Sequence, residues 1–235
     1  MYQKLEQLCI KLSNENIQLI EKFSKYFLDY NSKVNLISKN DSNFLFEKHI
    51  FDSLAFNLFY TKYLNSNKEI KLMDIGTGGG FPALPIAFYY KNINVLAVDS
   101  INKKINFINT TAKDFDLKNI TGTCKRVEEL NSNLRESFDI ITTRAMARLN
   151  IVLEYAIPYL KTNGFFIAYK SIKTEEEIQE AKNALKILNA KIIEKIEYSL
   201  PIDEENKRIL IIIKKNAQTP KQYPRQNGLV KKNPL

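Results

Sequence analysis

Apolar residues recur every three or four positions near the start of the chain, with Ile17, Ile20, Phe23, Phe27 and Tyr30 on one face. That spacing predicts helix over residues 2–30, and a second helix over "DSNFLFEKHIFDSLAFNLFYTKYL", 41–64. Residues 65–68 read as a connector. Beyond them the pattern changes to short apolar runs at 70–74, 94–98, 120–124, 138–142, 165–169, 191–198 and 208–214. Helical patterns lie between the runs at 82–90, 101–115, 149–160 and 174–188. Strands separated by helices require right-handed crossovers and hence a parallel sheet. The last two runs are separated only by "PIDEENK", too short for a parallel crossover, so they pair antiparallel as a hairpin. The predicted fold class is α/β, a seven-stranded sheet with its last strand antiparallel and a helical extension at its N-terminus. Residues 1–66 form that extension, 67–215 the sheet domain, and 216–235 an extended tail.

No apolar run is long enough to span a membrane, and "MYQKLEQLCIKLSNEN" has the scattered charges of a chain without a signal peptide. Cys9 and Cys124 are far apart and form no metal-type spacing, so reduced thiols, a cytoplasmic location and no bound metal are expected. The formal net charge of +9 is unevenly placed: residues 214–235 hold six basic residues and no acidic one. Three prolines and no helical period predict that this tail is extended or poorly ordered. Its positive charge, with Tyr223 free to stack on a base, suits RNA phosphates. Lys221, Arg225, Lys231 and Lys232 are its candidate contacts, and its loss is expected to leave any cofactor site elsewhere in the chain untouched.

The stretch "KLMDIGTGGGFPALPIAF", 71–88, places Gly76, Gly78 and Gly80 in a strand-to-helix turn that lets backbone amides approach a ligand. A P-loop needs a Lys-Ser/Thr pair after its last glycine, and Phe81-Pro82 stands there instead. A dinucleotide fingerprint needs a glycine where Phe81 lies. The remaining reading is S-adenosylmethionine. Asp74 at the strand end can meet the amino group of that ligand, and Asp99, ending "LAVD", can accept from its ribose hydroxyls. Asp99 would serve a dinucleotide equally well; Phe81 and the reversed last strand favour a Rossmann-like S-adenosylmethionine-dependent methyltransferase.

The segments "NSKVNLISKND", "KHIFDSLA", "DIGTGGGFPALPIA", "VDSINKKINFI", "RVEEL", "TTRAMARL" and "YPRQNGLVKKNPL" together resemble the RsmG (GidB) family, in order and spacing, from about residue 25 onward. The resemblance implies a methyltransferase forming 7-methylguanosine in the 530 loop of small-subunit (16S) ribosomal RNA, acting as a monomer on the RNA or a 30S assembly particle. It further implies that Gly76, Phe81, Val127, Glu128 and Arg144 contact S-adenosylmethionine, and that Lys103, Arg126, Arg144 and Lys170 lie near cofactor and RNA. In "TTRAM", Thr143 stands where the family usually has serine, which keeps the hydroxyl.

The residues themselves narrow the acceptor. The Pro-Pro motif that orients an exocyclic amine is absent after "FDIITT", where "RAMARL" follows. Neither cysteine sits in a motif for a covalent pyrimidine adduct. Guanine nitrogen 7 needs neither device, since its lone pair attacks in line and no proton leaves. Arg126 and Arg144 would then act by positioning the guanine or a phosphate, with no general base. His49 and Asp52, three apart on one helical face, read as a structural link between the N-terminal helices and the sheet rather than as a catalytic pair. Two other readings stay open: an RNA-binding module with a vestigial pocket, and a methyltransferase for small molecules or proteins.

Overall fold

The computed structural model describes residues 2–11, 13–64, 68–202, 207–226 and 228–235; the connector at 65–67 and the hairpin turn at 203–206 lie outside the described residues. The first expected helix is split. A 3-10 turn, Tyr2–Leu8, ends where Cys9 takes a left-handed conformation (φ 57°), and α1 (Asn14–Val34) starts afresh. Ser13 caps it, its hydroxyl accepting from Asn16 N at 3.2 Å, and Asn35 closes it in the left-handed region. The second expected helix is also divided. The short α2 (Lys39–Ser42) precedes a π-helical stretch, Phe46–Phe51, which runs into α3 (Asp52–Leu54) and α4 (Phe56–Tyr63). The π stretch, with its wider i→i+5 hydrogen-bonded rings, contains Lys48 and His49, and such stretches are common at functional sites.

The seven runs are all strands: β1 (Ile70–Ile75), β2 (Ile93–Asp99), β3 (Ile120–Cys124), β4 (Phe138–Arg144), β5 (Leu160–Ser171), β6 (Ala190–Ser199) and β7 (Lys207–Lys215). They form one sheet in the order β3-β2-β1-β4-β5-β7-β6. Every pairing among β1 to β5 is parallel, and β7 is antiparallel to both β5 and β6. The crossovers carry α5 (Ala83–Tyr89), α6 (Asn102–Asp114), α7 (Leu149–Ala156), and α8 (Glu175–Glu180) with α9 (Lys182–Ile187).

Both faces of the sheet are covered, which is why β1 reads as an almost unbroken apolar run. Ile70 and Leu72 enter one core with Phe27, Phe56, Phe81 and Phe107. Met73 and Ile75 point the other way, into a second core with Val152, Leu153 and Phe166. Each fully buried aliphatic side chain contributes about 1.5–3 kcal/mol. The N-terminal helices therefore form part of one core layer, and no helix among the described residues is long and apolar enough to cross a membrane.

The tail is not extended. The Arg135 guanidinium gathers the carbonyls of Thr219, Pro220 and Tyr223 at 2.7, 3.0 and 2.5 Å, and a short α10 (Leu229–Lys232) follows. Tyr223 and Val230 are buried, so the tyrosine ring is not available to stack on a base. The physical cause is Glu154 on α7, which has no exposed surface. Arg225 satisfies it three times over, through its backbone N (2.9 Å), Nε (2.8 Å) and Nη2 (2.6 Å). A buried carboxylate requires such a partner, and this one fastens the tail to the sheet domain. Arg225→Ala would leave Glu154 uncompensated and should cost about 3–5 kcal/mol in urea denaturation. The double variant Arg225→Ala with Glu154→Leu should recover most of that loss.

Candidate active site

The turn after β1 needs glycine for backbone reasons. Gly76, Gly78 and Gly80 all have positive φ (68°, 58° and 88°), and a Cβ on Gly80 would lie 2.4 Å from Leu84 Cδ1. Asp99, at the end of β2, braces this turn: Oδ2 accepts from Gly78 N and Oδ1 from Ile101 N, each at 3.0 Å. Lys104 Nζ lies 3.6 Å from the same carboxylate. Asp99 thus shapes the turn as well as facing the cleft beside it.

That cleft, about 250 Å³, brings together Gly76, Asp99, Arg126, Val127 and Glu128 from three separate strand ends. Met146, Tyr155, Lys104 and Lys231 complete its walls. Tyr155, inside the helical pattern at 149–160, was not singled out from the sequence, and Lys231 read as a tail charge; only packing carries them here. Asp74 lies beneath the turn, fully buried, with Oδ1 accepting from the Thr142 hydroxyl at 2.7 Å. Its Oδ2 lacks a fully formed hydrogen bond. Desolvation pushes its pKa up to about 6, against the opposing pull of the Thr77 and Thr142 hydroxyls and of Arg144. Gly78 does not line the cleft. Phe81 is buried in the core, packed on Phe27 and His49, with the Arg144 guanidinium 5.5 Å from its ring.

Arg144 ends β4 and is held by the N-terminal helices. Nη1 donates to Lys48 O (2.8 Å) and Asp52 Oδ2 (2.9 Å), and Nη2 meets His49 Nδ1 at 2.7 Å. The expected structural link through His49 and Asp52 is therefore present, with an arginine as its centre. Tyr198 supports it by donating to Asp52 Oδ1 at 2.6 Å. A guanidinium can only donate, so Nδ1 must be the acceptor and the ring proton sits on Nε2, which has no partner among the described residues.

A second cleft, about 240 Å³, opens on the other side of Ala145, a residue both clefts share. Arg144, Lys170 and Arg208 line it with Tyr169 and Ser171. Lys170 Nζ is bound to Glu177 Oε2 (2.6 Å) and Ala147 O (2.7 Å). Arg208 was not singled out from the sequence; the antiparallel pairing of β7 with β5 brings it beside Ser171. Lys103 lies apart, its Nζ donating to Val34 O at 2.9 Å. Lys221 and Lys232 are exposed, and Arg225 is committed to Glu154. Among the described residues no group of histidine, cysteine or carboxylate side chains could hold a metal ion.

Burial first, and then the Arg144 charge, drive the His49 pKa down to about 3. A histidine depressed in this way stabilises the fold fully above its unfolded pKa, near 6.5, and loses that contribution as pH falls toward 3. The slope is up to about 1.4 kcal/mol per pH unit. Between pH 7.5 and 5, His49→Gln should therefore lose about 2 kcal/mol less stability than the parent in urea denaturation. Asp74 titrates with the opposite sign in both proteins, so the difference isolates His49.

The family profile described as rRNA small subunit methyltransferase G (GidB) matches residues 5–208. The ribosomal RNA small subunit methyltransferase G of Lactococcus lactis subsp. cremoris is 38% identical over 228 residues, covering 96% of this chain and 94% of that protein. Its counterpart from Lachnoclostridium phytofermentans is 40% identical over 239 residues, covering 99% and 95%. Among solved structures, a mutant 16S rRNA (adenine(1408)-N(1))-methyltransferase from Catenulisporales acidiphilia, determined with cosubstrate SAM, superposes with a TM-score of 0.52. That match spans 66% of this chain and 88% of the other at 13% identity, a likeness of fold. With a profile spanning most of its length and relatives matched almost throughout, the chain belongs to the rRNA small subunit methyltransferase G family.

Proposed function

We propose that the protein transfers a methyl group from S-adenosylmethionine to nitrogen 7 of a guanine in the 530 loop of small-subunit ribosomal RNA. The observation that carries this reading is the meeting of two clefts at Ala145, the second lined by Arg144 and by Asp52, whose carboxylate already accepts from Arg144 and Tyr198. His49, the lone histidine, is occupied by Arg144 and is a poor base because it is held neutral to low pH. Guanine nitrogen 7 suits such a site, since its lone pair takes the methyl without releasing a proton. The bound cofactor supplies an electrophilic methyl group on a sulfonium.

The residues fit that cofactor. Asp74 Oδ2 is a buried acceptor still lacking a full hydrogen bond, suited to an ammonium group directly or through water. Gly76 keeps the cleft open, since a Cβ there would meet Met146 Cγ at 3.2 Å. Asp99 retains lone pairs for ribose hydroxyls beyond those given to Gly78 and Ile101. Val127 and Glu128 form the far wall, toward the adenine. Arg144 spends its Nη1 hydrogens on Lys48 and Asp52 and one Nη2 hydrogen on His49. Nε and the second Nη2 hydrogen remain to orient guanine oxygen 6 or a phosphate. Arg126, Lys170 and Arg208 add positive charge for the RNA, with Lys103, Lys221 and Lys232 farther out. Substrate is ribosomal RNA, free or in an assembling 30S particle, in the cytoplasm.

Three outcomes test this. Gly76→Val should abolish S-adenosylmethionine binding in calorimetry; valine at φ 68° is strained, so the melting temperature should fall by several degrees while the circular dichroism spectrum stays that of the folded parent. Affinity in the parent should fall as pH drops through about 6, by up to about tenfold per unit, as Asp74 gains a proton. Asp74→Asn should bind weakly with no such pH dependence. Label from S-adenosylmethionine should be recovered from 16S RNA as 7-methylguanosine; recovery in methylcytidine or methyladenosine would overturn the acceptor.

A further inference from the structure

The C-terminal segment reaches the cofactor cleft from a direction that the glycine motif does not foreshadow. Gln226 Nε2 donates to Glu128 O at 2.5 Å. The neighbouring carbonyl, Val127 O, is held from the protein interior by the Tyr159 hydroxyl at 2.6 Å. The turn Val127–Glu129 is therefore clamped between the second core and the tail. Beyond Gln226 the chain folds back: Arg225 Nη2 donates to Asn233 O at 2.8 Å, and Val230 is almost wholly buried. This brings Lys231 into the lining of the cleft, beside Lys104, Lys125 and Arg126. The Lys231 side chain has no hydrogen bond or ion pair among the described residues, so its ammonium group is available to a ligand.

We propose that Gln226 and residues 228–235 form a wall of the cofactor site, with Gln226 positioning the Val127–Glu129 turn and Lys231 donating to the bound cofactor. The proposal rests on the cofactor reading above and reverses the expectation that the tail is independent of that site. Its physical basis is local. The turn is a single 3-10 turn whose carbonyl at Glu128 points outward, and without Gln226 that carbonyl would return to water and the turn would be free to shift. An amide donor fixes it, while an ammonium group across the cleft offers hydrogen bonds to acceptor atoms on the ligand. Arg225 supplies the anchorage, so the wall forms only when the Glu154 ion pair does.

The test is S-adenosylhomocysteine titration by calorimetry, without RNA, on the full chain, Gln226→Ala, Lys231→Ala and a chain lacking residues 228–235. Gln226 and Lys231 are exposed, so the single variants should keep the fold. The deletion also removes the buried Val230, so melting temperatures verify the fold of each, and the single variants carry the test where the deletion is destabilised. The expected result is a dissociation constant about fivefold to tenfold weaker for each single variant and weaker still for the deletion. Parent-like affinity in both single variants, or in the folded deletion, would overturn the proposal and leave the tail to the RNA alone. Absence of binding in the parent itself would overturn the cofactor reading instead, so the two failures are distinct.

Discussion

The architecture turns on the reversal of winding at β1. Strands β2 and β3 are laid down on one side of it and β4 and β5 on the other, so the connections after β1 and β4 diverge and leave a crevice at their carboxyl ends. The register between these strands pairs Asp74 with Thr142 and Ile75 with Thr143. The two threonine hydroxyls reach across it, to Asp74 Oδ1 at 2.7 Å and Ile75 O at 3.1 Å. Because both faces of the sheet are buried, a polar site has to form at an edge of the layers, and this crevice supplies it. The glycine turn, Arg144 and Ala145 all hang from these two strand ends.

The N-terminal helices act on this crevice through one side chain. Arg144 leaves β4 with most of its donors already committed to Lys48, His49 and Asp52, and both partners in its ion pair with Asp52 are largely buried. A guanidinium held at several points has little rotamer freedom left to lose when a ligand arrives, which is what a positioning role demands. Both the Lys48 carbonyl and the His49 ring that meet it belong to the π-helical stretch. Burial of His49 keeps that ring neutral, so it can accept from the arginine instead of repelling it.

Charge in the tail divides by burial. Lys215, wholly buried, is matched by Glu136 and two carbonyls, and burial lowers its pKa while Glu136 raises it. Arg225 is matched by Glu154. These two cations hold the segment in place, Lys215 wholly buried and Arg225 only partly exposed. Lys221 and Lys232 remain exposed, and Lys231 faces the cleft. A sequence count of positive residues therefore overstates what this end of the chain can offer to a polyanion.

Seven strands, their parallel order and the reversed β7 were legible in the sequence, because strand period, linker length and crossover handedness are constraints between near neighbours. The glycine turn was legible for the same reason: positive φ at Gly76, Gly78 and Gly80 is a local demand that few other residues meet. Asp99 could be placed at the cleft because it ends a strand, whereas Val127 and Glu128 were reached through the family resemblance. The structure alone decided that Phe81 packs inside, that Asp99 braces the turn, and that Arg144 is clamped by His49 and Asp52. It also decided that Tyr155, Arg208, Gln226 and Lys231 arrive at the clefts. Those partners lie tens of residues apart or more, and nothing local sets their distance. Burial does: Glu154 and Asp52 could not be taken from water unpaired, and the arginines that satisfy them dragged the tail and the N-terminal helices to the edge of the sheet.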